Sequence, residues 1–355
     1  MAKIPVGILG ATGMVGQWFA RCLEGHPWFE TAALAASERS AGKLYGDLVR
    51  WNADGEMPRE VRRMQVHPIE PGVFEDLGVK VLFSALPADQ GLVSEKLLAD
   101  KGFFVFSNAA SYRMDPLTPI LIPEVNADHI RIIERQKSRK DSGGFIVTNA
   151  NCTTTGLVVA LRPLADRFGL SSVVMSSYQA LSGAGYPGVA SMDIAGNVIP
   201  YISKEDEKVE AETRKILGPL SGGRMRPAPF EVIASCSRVF VRYGHLETAV
   251  VGLKKPFDEA SAKEALSGFR WEYSGRLPTA PRRPVIVREE TDRPQPRLDV
   301  DAGEPERARG MAVTVGRLRR HGRKLRFYLL SHNTVRGAAG ASVLNAEYAR
   351  KLGYI

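Results

Sequence analysis

One cysteine in this chain stands where a sulfur can react. Cys152 lies in the run Asn149-Ala150-Asn151-Cys152-Thr153-Thr154-Thr155-Gly156, after the apolar stretch Phe145-Ile146-Val147-Thr148 and before the helical pattern Gly156-Leu157-Val158-Val159-Ala160-Leu161. That order places the thiol at a strand-to-helix junction. There, free backbone N–H groups and the positive end of the helix dipole favour thiolate over thiol, which predicts a sulfur nucleophile for covalent catalysis. A free cysteine is ordinarily a small buried hydrophobe, and packing is the reading for Cys22, inside the first helical pattern, and Cys236, inside a strand pattern. The three cysteines form neither a metal-ligand spacing nor an even disulfide set, so no metal site is expected, and the usage fits a reducing compartment.

The elements around this junction follow from hydrophobic periodicity. Short apolar runs alternate with helical patterns: strands over 4–9, 31–36, 79–85 and 103–106, and helices from Gly13 to about Glu24 and from Asp89 to Ala99. Such alternation predicts a Rossmann-type, doubly wound parallel sheet of the α/β class. From Leu170 onward the strand-like segments lengthen, over 172–181, 230–241, 246–253 and 311–319, and predict an α+β region with a mainly antiparallel sheet. The Pro- and Arg-rich tract 277–296 reads as an exposed connection with short extended pieces, and 333–345 as a helix of small residues suited to close approach. The expected division is a cofactor domain over 1–150, completed by a C-terminal helix over 332–355, and a catalytic and oligomerisation domain over 151–331.

A glycine run supplies the second chemical feature. Gly7-Ile8-Leu9-Gly10-Ala11-Thr12-Gly13-Met14-Val15-Gly16 follows a strand and opens a helix. In that context glycines permit a tight turn and let a pyrophosphate reach backbone N–H groups at the helix start. The spacing Gly10-x-x-Gly13-x-x-Gly16 departs from the standard fingerprint by one residue. After the next strand, where an NAD enzyme usually carries an acid for the ribose hydroxyls, the chain reads Ser37-Glu38-Arg39-Ser40-Ala41-Gly42-Lys43. Hydroxyls and cations there suit a 2′-phosphate, so Ser37, Arg39 and Ser40 point to NADP. Ser84, in Ser84-Ala85-Leu86-Pro87 at the carboxyl end of a buried strand, is expected in a second cofactor loop.

With 355 residues and 44% apolar content, the chain can build two cores. Its start runs straight into a strand, and no run of about 18 uncharged apolar residues occurs, so neither signal peptide nor membrane span is expected and the location reads as cytoplasmic. The net charge of +9 is concentrated between Arg282 and Arg326. No helix-turn-helix, zinc-finger or aromatic RNA-binding pattern accompanies it, so anionic substrates or a basic surface are favoured over nucleic acid. A non-catalytic NADP-binding regulator is the competing class.

Taken together, five runs resemble aspartate-semialdehyde dehydrogenase, particularly its archaeal and fungal branch. They are 10–16; Asn151-Cys152-Thr153-Thr154; Gln179-Ala180-Leu181-Ser182-Gly183-Ala184-Gly185-Tyr186-Pro187-Gly188; Arg238 with His245; and 332–340. The resemblance runs nearly end to end and implies a thiol that attacks an aldehyde, oxidation by NADP, and release of an acyl phosphate by inorganic phosphate, or the reverse from L-aspartyl-4-phosphate. It implies Cys152 as nucleophile, His245 as acid/base and Gln179 as the amide that positions substrate near sulfur. Arg238 would grip the substrate carboxylate, Glu205 its amine, and Lys208 and Arg113 its phosphate, with Asn151 beside the nucleophile; the register among Glu205, Glu207 and Lys208 is open. Gly10, Thr12, Gly13, Met14, Val15, Ser182, Gly183, Gly185 and Asn333 would meet NADP. Read without the resemblance, Arg238 is a strand arginine and the 203–208 segment a solvated helix start. Malonyl-CoA reductase, with the same architecture and thiol chemistry, is the alternative, and the family implies a homodimer or homotetramer.

Overall fold

Two six-stranded sheets organise residues 2–355, the span that the computed structural model describes. The first contains β1 (Ile4–Leu9), β2 (Phe29–Ala35), β3 (Val66–His67), β4 (Val81–Ser84), β5 (Phe104–Ser107) and β6 (Phe145–Thr148), in the order β3-β2-β1-β4-β5-β6. Every pairing is parallel. All four residues of β4 and of β6 are buried, the mark of strands covered on both faces rather than alternating between core and water. Helix α1 (Met14–Leu23) follows β1, and α2 (Ala88–Asp100) follows β4. Neighbours β1 and β4 send their chains to opposite sides, which opens a crevice at their carboxyl ends, and the glycine run lies there. The predicted doubly wound sheet is therefore present.

The second sheet is mixed. Helix α3 (Cys152–Phe168) leads into β7 (Leu170–Gln179), and helix α4 (Glu205–Ile216) precedes β8 (Glu231–Arg238). β9 (His245–Leu253), β10 (Val285–Arg288), β11 (Val313–His321) and β12 (Lys324–Ser331) complete the order β8-β7-β9-β12-β11-β10. The three central pairings are antiparallel, as expected, but both edges are parallel. The long crossover through α4 returns β8 alongside β7 in the same direction. At the other edge the Pro- and Arg-rich tract contributes a paired strand, β10, rather than only a connection.

β7 alternates buried and exposed residues. Its inner positions, Val173 and Met175, share a core with Leu157, Leu161 and Leu164 of α3. Each such leucine removed from water contributes about 1.5–3 kcal/mol, which fixes α3, and so Cys152, against the sheet. The chain's last helix begins later than its small-residue pattern suggests. His332 Nδ1 accepts the Val335 N–H at 3.3 Å, a π-helical turn spans Val335–Ala339, and the α-helix proper, α5 (Gly340–Lys351), starts beyond it and packs on α1.

Candidate active site

Asn151 builds the junction that carries the sulfur. Its side-chain Oδ1 accepts the N–H groups of Thr153 and Thr154 at 2.9 and 3.2 Å, capping α3, so that Cys152 is the first residue of the helix. Its own N–H donates to Glu212 Oε2 at 2.6 Å and its Nδ2 to Glu205 Oε1 at 2.9 Å, tying the cap to α4. On the other side, Gly337 of the π-helical turn lies so near that a Cβ added to it would come 2.6 Å from Cys152 Cβ. The nucleophile is thus wedged between a cap and a bare glycine.

Three strand ends converge on the sulfur. His245, first residue of β9, is fully buried, and its Nε2 lies 3.1 Å from Cys152 Sγ. Its Nδ1 accepts the Ala180 N–H at 3.1 Å. Arg238 closes β8 and is paired in register with Gln179, the end of β7; its Nη1 donates to Ala180 O at 2.6 Å. Gln179 Nε2 donates to Ser177 Oγ at 3.2 Å and to Glu205 Oε1 at 3.0 Å. Glu205 Oε1 therefore gathers Asn151 and Gln179, while Lys208 Nζ stands 3.7 Å from its Oε2. Glu205 turns inward and is buried, whereas Glu207 turns outward and is exposed.

The electrostatics correct one expectation. Cys152 is partly exposed, yet burial pushes its thiol up to about 12, with the Glu205 carboxylate adding to the rise. Arg113, Arg238 and the Thr153 N–H pull the other way without reversing it. Burial, then Arg238 and His332, hold the His245 imidazole down to about 3. Burial thus works against the thiolate that the helix terminus alone favours, and against a charged imidazole beside it. Removing a charge from water outweighs the N-terminal dipole here.

The cofactor crevice is built from main chain. Gly10 has φ +70°, and a Cβ on it would come 2.7 Å from Ala85 O, so only glycine fits between the two loops. Gly13 caps α1 with no side-chain hydrogen bond, which leaves the first N–H groups of the helix, at Met14 and Val15, available to an anion. Thr12 is half-buried beside them, and its carbonyl accepts Gln17 Nε2 at 3.2 Å. Ser37 and Arg39 are exposed and Ser40 half-buried beyond β2. These groups fit a phosphorylated dinucleotide. Asn333 bridges the crevice to the thiol centre, accepting Gly244 N–H at 2.9 Å and donating to Ser182 Oγ at 2.8 Å.

Comparison with known proteins agrees with this geometry. A family model described as the NAD binding domain of semialdehyde dehydrogenase matches residues 5–133, and one described as its dimerisation domain matches 161–336. An aspartate-semialdehyde dehydrogenase of Archaeoglobus fulgidus is 50% identical over 97% of both chains. The chain belongs to the aspartate-semialdehyde dehydrogenase family. A solved structure of the Candida albicans enzyme with NADP superimposes with a TM-score of 0.90 at 38% identity, covering 100% of both chains. A malonyl CoA reductase (NADP) of Metallosphaera sedula is 40% identical over 99% of this chain and 98% of its own.

In this member of the dehydrogenase family two of the expected site residues make contacts that the sequence does not show. The Ser84 hydroxyl, fully buried, donates to Glu95 Oε1 at 2.6 Å beneath the crevice, since β4 turns that side chain toward α2. Arg113 donates to Glu212 at 3.1 Å and to Asn108 O at 2.8 Å, so its guanidinium braces Asn151 through Glu212. Gly183 is a spacer as well: a Cβ there would come 2.9 Å from Arg238 Nη1 and 3.1 Å from His245 Cε1. Gly185, at φ +72°, has open space around it.

Several residues of the site went unread in the sequence. Glu212 is two helical turns beyond Glu205, and that spacing on one face could have identified it. The Ala180 amide and the amide chain Asn108–Asn149–Asn345 give no local signal. Among the described residues no cluster could hold a metal, and no helix is long and apolar enough to cross a membrane.

Proposed function

We propose that this chain reduces L-aspartyl-4-phosphate to L-aspartate 4-semialdehyde and phosphate with NADPH, through a thioester on Cys152. The carrying observation is Cys152 Sγ at 3.1 Å from His245 Nε2, at a capped helix start, beside the Arg238 guanidinium. When bound at the glycine crevice, the nicotinamide cofactor supplies or accepts the hydride. Gly10, Gly13, Met14 and Val15 would hold its pyrophosphate, Ser37, Arg39 and Ser40 its 2′-phosphate, and Ser182 and Asn333 its nicotinamide end.

The protein's own work is to place an acyl carbon on the sulfur. Arg238 has its inner Nη1 committed to Ala180 O, which fixes the guanidinium plane so that its outer edge can take a substrate carboxylate in two bonds. Gln179 and Asn151 are held rigid by Glu205 and line the approach to the sulfur. Glu205 and Lys208 would meet the amine and phosphate. His245 faces both the sulfur and the oxygen of any carbonyl the sulfur attacks.

The fitting oligomer is a homodimer formed through the outer face of the second sheet, where Val174 and Ile233 are exposed register partners with Tyr178 nearby. On this reading 1–150 with 332–355 is the cofactor domain, 151–331 the catalytic and dimerisation domain, and the enzyme works in the cytoplasm. Initial rates with aspartate semialdehyde, NADP and inorganic phosphate are the test, with malonyl-CoA plus NADPH as control. Phosphate-dependent NADP reduction supports the reading; turnover of malonyl-CoA alone replaces it with the reductase; no turnover of either overturns it.

A further inference from the structure

We propose that Lys215 is a positioning residue for the phosphate end of the site: its ammonium, reaching from α4, shapes the 108–118 loop so that Arg113 faces the substrate phosphate. The phosphate role of Arg113 rests on the reaction proposed above; the holding of that arginine by a buried lysine goes beyond it.

Residues 108–118 form turns and bends, with no helix or strand to fix them. The loop is tied at its start, where Asn108 N–H donates to Ser84 O at 2.9 Å and Asn108 Oδ1 accepts Asn149 Nδ2 at 2.8 Å, and just beyond its end, where Ile120 bridges Thr148. Between these anchors Lys215 gathers it. Lys215 Nζ donates to three main-chain carbonyls, those of Arg113, of Asp115 at 2.8 Å and of Thr118 at 2.9 Å. An ammonium has three N–H donors, so all of them go to this one loop. Burial pulls the amine down to about 8, with Asp115 and Glu212 opposing the fall, so the charged form that makes three bonds prevails at neutral pH. An apolar side chain would fill the same buried space without the cost of taking a second cation out of water near Arg113. The bonds to the loop are what the lysine supplies.

The loop in turn presents Arg113. Its Nη1 donates to Glu212 Oε1 at 3.1 Å and its Nη2 to Asn108 O at 2.8 Å, which fixes the guanidinium plane, while the Nε–H has no partner. Against the burial and the Glu205 charge that raise the Cys152 thiol, Arg113 pulls hardest downward, so its charge stands close to the sulfur and to any acyl group on it. Glu205, Lys208, Glu212 and Lys215 follow one another at steps of three, four and three residues, which puts them on one face of α4 with alternating sign. That single face sets both ends of the substrate site. Glu205 holds the side chains of Asn151 and Gln179, and Lys215 holds the loop of Arg113.

The test follows NADP reduction while phosphate and aspartate semialdehyde are varied separately. Lys215→Met keeps the aliphatic stem and removes all three donors. Its KM for phosphate should rise about 10- to 100-fold, the worth of one oriented hydrogen bond to a charged group, while the KM for semialdehyde and the affinity for NADP stay within about twofold. Lys215→Gln, a milder change that keeps two N–H donors on a shorter stem, should act in the same direction to a lesser degree. In an Arg113→Met background Lys215→Met should add little, because the lysine acts through the arginine. An unchanged phosphate KM, equal rises for both substrates, or an effect additive with Arg113→Met overturns the proposal. Loss of the folded state in both lysine variants, read by circular dichroism, also overturns it, since the residue would then hold the domain rather than the phosphate site. A wild-type chain without phosphate-dependent turnover sinks the proposed reaction and this inference with it, whereas wild-type turnover beside a normal Lys215→Met sinks this inference alone.

Discussion

The two halves of the site are made in opposite ways. Around Cys152 nearly every polar group is buried and already committed: Asn151, Gln179, Glu205, Glu212 and Arg113 each bond to another member of the set, and Arg238 to the Ala180 carbonyl. Around Gly10 the working surface is bare backbone and the exposed side chains beyond β2. A covalent step needs a nucleophile and donors fixed before substrate arrives, whereas a dissociable dinucleotide needs access. Changes in the first half should therefore spread through the network and reduce rate, while changes in the second should stay local and reduce affinity.

The sharpest way to break this contrast is Cys152→Ala. It should lower turnover by about 10^4-fold or more, the scale of losing a nucleophile, while NADP affinity measured by fluorescence stays within about twofold. Parallel loss of both would mean that the two halves are one unit. Arg238→Lys comes next. A point charge cannot hold the Ala180 carbonyl and a carboxylate as a planar fork does, so kcat/KM should fall about 10- to 100-fold with NADP binding unchanged. Normal kinetics would remove Arg238 from the site.

Glu212→Gln tests whether the buried network is structural as well as catalytic. It leaves Arg113 buried without its counter-charge and should cost about 3 kcal/mol in urea melts, together with a drop in kcat. Unchanged stability would show that this pair is dispensable. In the open half, Arg39→Ala should weaken NADP about 10-fold and leave NAD nearly untouched, since a single exposed cation meets only the 2′-phosphate; equal effects on both cofactors would refute its assignment.

The smallest effect is one of pH. Folding lowers His245 to about 3 and His332 to about 4, both mainly by burial. The unfolded chain therefore takes up protons first as pH falls below the ordinary histidine value of about 6.5. Stability contributed by the neutral rings is present above that pH and lost toward pH 4. His332→Gln should flatten the acid limb of a Tm-against-pH curve, and an unchanged limb would mean that other groups govern it.

What could be read in the sequence divides along the same line. The cofactor half was legible because its signals are local: a strand, a glycine turn and a helix lie together at 4–23, and the run after β2 follows at once. Cys152 was legible as a position, at the start of a helix, but its surroundings were not, because the burial that raises its thiol and the Glu205 charge that adds to the rise come from parts of the chain distant in sequence. For Ser84 the place at a strand end was readable, but not the bond of its hydroxyl to Glu95 on α2. The parallel edges of the second sheet depend on a long crossover and on a tract whose prolines hide a strand.

The bare α-carbon of Gly337 beside Cys152 makes reactivity depend on a stretch of chain remote from it in sequence. One wall beside the sulfur is delivered by the Val335–Ala339 turn, so a change that swells or shifts that turn reaches the nucleophile directly, although neither sheet need move.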